Sequence, residues 1–189
     1  LSLALLSSMM LQEICFYARG GQGAVVAARL LVHAAAAEGL HGQAVPLFGG
    51  ERRGAPVYSF ARISDKPVRL RSQISEPDIL VVLDRALLRS IPFKVKGDGM
   101  LLANAPSRPE VPVKRVYWVD ATAIAKGLGL VVAGWPVVNT AMLGALTRVW
   151  PLISLESVRG AIMSTWGGRL GELNAEAAGK AHEEVKGVG

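Results

Sequence analysis

Residues 78–84 read DILVVLD, five apolar side chains in a row between two aspartates. A strand that is apolar on both faces needs cover on both faces. That is the situation of a parallel strand inside an α/β sheet, not of an antiparallel strand with one wet side. The rest of the chain is read around this strand.

Residues 12–18 alternate loosely and end at Arg19, which predicts a strand running into a cluster of glycines. From Ala24 to Glu38 the sequence AVVAARLLVHAAAAE predicts a helix, with Gly39 as its stop. A second strand fits 41–47. Residues 57–64 alternate cleanly, and 68–74 alternate again beyond a DKP turn. These two predict a hairpin with one solvated face carrying Arg62, Arg69 and Arg71. A short helix follows at 85–90, then strands at 100–105 and 115–121. Helices are expected near 121–128, 139–149, 154–164 and 172–186, with Asn139 and Ser154 at N-cap positions.

This order predicts a three-layer α/β/α, Rossmann-like domain with a mixed, mostly parallel sheet and a helical C-terminal third. A chain of 189 residues, 51% of them hydrophobic and 19% charged, can bury such a core and is not of disordered composition. One domain is expected over 12–189, with residues 1–11 a frayed extension. That extension, LSLALLSSMML, is too short to span a bilayer and lacks the basic region of a secretory signal. With the single Cys15, which excludes an internal disulfide and a cysteine-only cluster, it points to a cytoplasmic chain without membrane attachment. The 21 Lys/Arg against 15 Asp/Glu give +6, which suits an anionic partner: nucleic acid, a phosphorylated cofactor or an acidic protein.

Two segments carry chemistry. In the first, a strand meets Gly20-Gly21-Gln22-Gly23 and then a helix. Glycines let the backbone turn sharply, and the helix start offers free N–H groups and a partial positive charge to an anion. The dinucleotide fingerprint is incomplete here: Val26 occupies its third glycine position, and Gln43 and Ala44 stand where an acidic residue belongs. That disfavours NAD. On this segment alone, a turn needed only for strand–helix packing competes equally with a ligand site. The second segment, ERRGAPV (51–57), places Arg52 and Arg53 in a glycine-flanked loop after the second strand. Arginine forks there suit phosphate, carboxylate or a neighbouring chain. Arg62 and Lys66 are read as part of a solvated polar face.

Other features carry less. KGDG (96–99) resembles the opening of a thiamine diphosphate motif, but no asparagine lies between Ile124 and Leu130, where the metal-binding partner belongs. It is read as an ordinary turn. His33, His41 and His182 form no nucleophilic or metal-ligand pattern. Trp118, Trp135, Trp150 and Trp166 are scattered through apolar segments and read as core or interface.

Taken together, RGGQGAVVAARLL, QAVPLFGGERRGAPVYSFARISDKPVRLRSQI, EPDILVVLD and PVVNTAMLGAL resemble the gamma subunit of 2-oxoacid:ferredoxin oxidoreductases, in the pyruvate and 2-oxoisovalerate branch. The likeness spans roughly residues 12–187. It implies a component of a multi-subunit enzyme, inactive alone, with alpha, beta and delta partner subunits and ferredoxin as electron acceptor. Such an enzyme decarboxylates a 2-oxoacid oxidatively and transfers the acyl group to coenzyme A. Thiamine diphosphate, Mg²⁺ and [4Fe-4S] clusters would sit on the partner subunits. The resemblance further implies a coenzyme A site built from Arg19, Gly20, Gly21, Gln22, Gly23, Arg52 and Arg53, with Asn139 adding a polar contact or capping its helix. The competing reading is a basic nucleic-acid-binding module, which no helix-turn-helix, RNP or zinc pattern supports.

Overall fold

The computed structural model describes residues 10–46, 54–92 and 94–188. Its centre is a seven-stranded sheet in the order β2-β3-β1-β4-β5-β6-β9. The strands are β1 (Leu11–Arg19), β2 (His41–Pro46), β3 (Pro56–Ser64), β4 (Ile79–Val82), β5 (Met100–Asn104), β6 (Arg115–Val119) and β9 (Lys186–Val188). Strands β1, β4, β5 and β6 run parallel to one another. β3 pairs antiparallel with both β1 and β2, and β9 pairs antiparallel with β6. The DILVVLD strand sits mid-sheet with all four residues of β4 buried, as its composition requires.

Among the described residues the five α-helices are α1 (Ala24–Ala37), α2 (Ala121–Gly127), α3 (Asn139–Val149), α4 (Leu155–Trp166) and α5 (Gly168–Glu184). All contribute to one core, in which Ile14, Phe16, Ile79, Val81, Leu83 and Leu102 of the sheet meet Leu31, Ile124, Met142, Ile162 and Ala178 of the helices. Each fully buried aliphatic side chain there contributes about 1.5–3 kcal/mol. On the other face Cys15, Tyr17, Phe60, Leu80, Val82 and Leu101 pack against Ile74, Leu87, Val95 and Ala105. The mixed sheet and helical C-terminal third agree with the sequence reading. The layer on this second face, however, is made of extended loops and one 3-10 helix (Arg85–Ser90).

Helix ends follow their capping chemistry. Gly39 adopts φ 74° after α1, and the N–H of Leu40 returns to the carbonyl of Ala35. The Ser154 side chain accepts from the N–H of Ser157 at the start of α4. Asn139 departs from expectation: the N-cap of α3 is Val138, and Asn139 is already helical.

Several sequence-based expectations are corrected. Residues 68–74 form no strand, because β3 already has a partner on each side and no edge is left for a hairpin. Arg62 is not on a solvated face. It is 1% exposed, and its guanidinium donates to Glu13, Gln43 and the carbonyls of Leu70 and Ser72. Arg69, Arg71 and Lys66 are exposed, as expected. Leu11 already belongs to β1, while residues 1–9 lie outside the described residues. The last helix ends at Glu184 and the chain continues into β9. A small hairpin, β7 (Val131–Val132) and β8 (Trp135–Pro136), turns through Ala133 at φ 48° and leaves Val131, Val132 and Trp135 exposed.

Candidate functional site

After β1 the chain crosses over α1 to the β2–β3 side of the sheet, whereas β4 leads to β5 on the other side. The carboxyl ends of β1 and β4 therefore border the point where strand order reverses, the usual ligand crevice of an open α/β sheet. The glycine turn lies there.

Gly21 and Gly23 hold φ angles of 98° and 83°, in the left-handed region that favours glycine. Gly23 has a second constraint: a Cβ on it would stand 2.5 Å from Nδ2 of Asn139. That amide donates to the Gly23 carbonyl at 3.4 Å, while its Oδ1 accepts from the N–H of Thr140 at 3.0 Å. Asn139 is buried and fastens the start of α3 to the glycine turn.

Gln22 points inward and is 6% exposed. Its Oε1 accepts from the N–H of Arg19 at 2.8 Å, and its Nε2 donates to Asp84 Oδ2 at 3.1 Å. Arg19 Nε pairs with the same Asp84 oxygen at 3.3 Å, and Arg19 Nη1 donates to the Gly54 carbonyl at 3.0 Å. Gly20 donates to the carbonyl of Ala55, and Gly54 donates to the carbonyl of Gly20. Asp84 also accepts from the N–H of Ala86, capping the 3-10 helix. One carboxylate thus joins the ends of two parallel strands and the turn between β1 and α1, while Arg19 and Gly20 tie in the segment that enters β3.

The side chains are consumed by this scaffold, and the backbone is not. Among the described residues, the N–H groups of Gly21, Gly23, Ala24, Val25 and Val26 have no hydrogen-bond acceptor, and α1 has no side-chain cap. A turn of this kind at a helix start offers several amides and a partial positive charge to anionic oxygens.

The structure therefore brings together Arg19, Gly20, Gly21, Gln22, Gly23 and Asn139. Arg52 and Arg53 lie outside the described residues, although Gly54, which follows them in sequence, is bonded to the turn. The sequence reading missed Asp84. An acidic residue closing a buried strand beside the glycine-turn strand was the available signal. Cys15 is fully buried in β1, and burial pushes its thiol above the ordinary range, so it is not a nucleophile. His33 and His41 are exposed, and His182 shares a 2.9 Å hydrogen bond with Thr147. The KGDG segment is a turn closed by the Gly99 N–H on the Lys96 carbonyl. No helix among the described residues is long and apolar enough to cross a membrane.

Comparison with known proteins gives a consistent picture. Residues 13–184 match the family model described as pyruvate ferredoxin/flavodoxin oxidoreductase. The chain is 46% identical over 183 residues to the pyruvate/ketoisovalerate oxidoreductases common subunit gamma of Pyrococcus abyssi, covering 92% of this chain and 97% of that one. It is 48% identical over 175 residues to the pyruvate synthase subunit PorC of Methanocaldococcus jannaschii, covering 92% and 96%. Its fold matches the crystal structure of the pyruvate oxidoreductase subunit PORC from Thermotoga maritima with a TM-score of 0.82. That match has 33% identity and covers 95% of this chain and 99% of that one.

Proposed function

This chain belongs to the pyruvate ferredoxin/flavodoxin oxidoreductase family as a gamma subunit, and from that premise we propose that its task in the enzyme is to hold coenzyme A. The observation that carries the reading is the set of N–H groups of Gly21 and of Gly23 to Val26, unclaimed among the described residues, at the strand-order reversal. Coenzyme A brings a pyrophosphate and a 3′-phosphate, and both need fixed donors and cations.

In this reading the backbone of the glycine turn takes phosphate oxygens. Arg52 and Arg53 supply the charge that Arg19 does not, because Arg19 is already committed to Asp84. Gln22, Asp84 and Asn139 are positioning residues: they fix the turn so that its amides converge before the ligand arrives. The acyl acceptor is thereby delivered in a set orientation, and no bond is made or broken by this chain.

Thiamine diphosphate with Mg²⁺, and the iron–sulfur clusters, belong in this proposal to alpha, beta and delta chains of the complex, with ferredoxin as the acceptor. The residues present do not fit those groups. The one cysteine is fully buried within β1, and the Asp98 turn is an ordinary tight turn before β5.

Two measurements test the proposal. A tagged chain drawn from its own cells should bring thiamine- and iron-containing partners with it; a chain that arrives alone refutes the complex. In the assembled enzyme, Arg52→Ala with Arg53→Ala should weaken the apparent affinity for coenzyme A about tenfold or more, as loss of two charge-assisted contacts implies. An intact complex with unchanged affinity removes the arginines from the site.

A further inference from the structure

The chain's positive charge is not spread evenly. Residues 85–115 hold seven Lys/Arg and two acidic residues, a net +5 of the chain's +6. Residues 116–189, which include α2 to α5, hold six of each sign and are neutral. The excess therefore belongs to the segment forming much of the loop layer on the face opposite the α-helices.

The layer is also grooved. A cleft of about 580 Å³ is lined by Leu88, Arg89, Ile91, Val95, Val113 and Lys114 among others. A second, of about 460 Å³, shares Leu88 and Arg89 and adds Arg85, Arg108 and one acidic residue, Glu110. Arg85, Arg89, Arg108 and Lys114 are exposed and make no ion pair among the described residues. Elsewhere in that segment Lys94 pairs with Glu76, and Lys96 with Glu13 and Asp78. Unpaired cations set around apolar clefts are the composition of an interface lacking its partner, not of a solvated face.

We infer that this face, centred on Arg85, Arg89, Arg108 and Lys114, docks an acidic segment with apolar side chains from another protein chain of the same enzyme. The inference rests on the reading of this chain as a complex subunit. Charge selects the occupant. A second copy presenting the same face would set Arg85, Arg89, Arg108 and Lys114 against the same four cations, which like-charge repulsion disfavours. A nucleic acid would be met by stacking platforms or a continuous basic track, and the described lining of both clefts holds no aromatic side chain. Aliphatic floors with cationic rims suit acidic–apolar peptide chemistry instead.

The test uses the native complex, purified through a tag on this chain and challenged with rising KCl. Arg85→Glu with Arg89→Glu should lower the salt concentration at which a partner chain dissociates and weaken its affinity at least tenfold. Arg108→Ala should give a smaller shift in the same direction. Circular dichroism and the melting temperature of each isolated variant establish that it is folded. If the wild-type chain recruits no oxidoreductase subunits, the subunit reading falls and this inference with it. If the wild type assembles and the folded charge-reversed variant assembles equally well, only the docking face is refuted. Unchanged assembly with loss of binding to a short DNA duplex reassigns the face to nucleic acid, and unchanged assembly with loss confined to coenzyme A affinity reassigns it to the cofactor; both overturn the inference.

Discussion

The parallel pair of β1 and β4 carries a polar cluster at each end, and the two clusters differ in what they leave unspent. At the amino ends Arg62 is sealed in with Glu13, Gln43 and the carbonyls of Leu70 and Ser72, and Lys96 bridges Glu13 and Asp78. At the carboxyl ends Arg19, Gln22 and Asp84 are just as mutually engaged, yet the glycine turn above them keeps unclaimed amides. Charged side chains mark both ends equally. Among the described residues, spare donors gathered at a helix start lie at the carboxyl end, and that end is where an α/β sheet places its ligand.

The largest expected effect separates the two guanidiniums. Arg62→Ala leaves Glu13 with Lys96 as its one remaining cation among the described residues and strips the Gln43 side chain and the Leu70 and Ser72 carbonyls of their donor, around a guanidinium site that is 1% exposed. Loss of one member of a buried pair typically costs about 3–5 kcal/mol. Arg19, whose side chain is 31% exposed, stands in partial solvent, and Arg19→Ala should cost no more than about 1 kcal/mol. Urea midpoints with unchanged slopes measure both. Equal losses would erase the distinction between a structural end and a functional one.

Arg62 also shows where sequence reasoning stops. Alternation correctly marked 57–64 as a strand, and alternation in 68–74 suggested its hairpin partner. Periodicity assigns a face but does not choose a neighbour. β3 took β1 and β2 on its two sides, and the would-be strand became a loop whose carbonyls serve Arg62. The glycine turn was legible because its signal is local: Gly21 and Gly23 do hold positive φ. Asn139 reaches the turn across 116 residues, and Asp84 ties to Gln22 across 62. No local pattern encodes such distances. The family likeness supplied the association of Asn139 with the turn that spacing could not.

The next effect in size tests how the carboxyl end is held. Gly23→Ala combines a left-handed backbone with a clash on Asn139, and about 1–3 kcal/mol of destabilisation is expected. Gly21→Ala meets open space, so only the backbone strain of about 1 kcal/mol remains. Pairing Gly23→Ala with Asn139→Ala should recover part of the first loss, giving a coupling that Gly21→Ala lacks. If the two glycine variants are equally unstable and neither couples to Asn139, the turn is not braced by α3.

The smallest effect concerns the amino end and appears as pH dependence. Burial opposes the Lys96 ammonium, but Asp78 and Glu13 outweigh it and hold its pKa above the ordinary 10.5. A cation whose pKa is raised on folding contributes stability that is fully present below its unfolded pKa and is lost as pH rises through the folded one. Lys96→Met should therefore be less stable than wild type by a gap that is flat from neutral pH to about pH 10 and closes above it. The gap stays under about 1 kcal/mol, since the Lys96 side chain is 37% exposed and its charge is screened. Buried Cys15 also weakens the fold at alkaline pH, because its thiolate forms more readily once unfolded, but it does so in both proteins and cancels in the difference. Parallel urea titrations between pH 7 and 11 read the gap directly. A gap that widens with alkalinity would mean that Lys96 is not held by the two carboxylates, and the amino end would lose half of the closed network that sets it apart from the glycine turn.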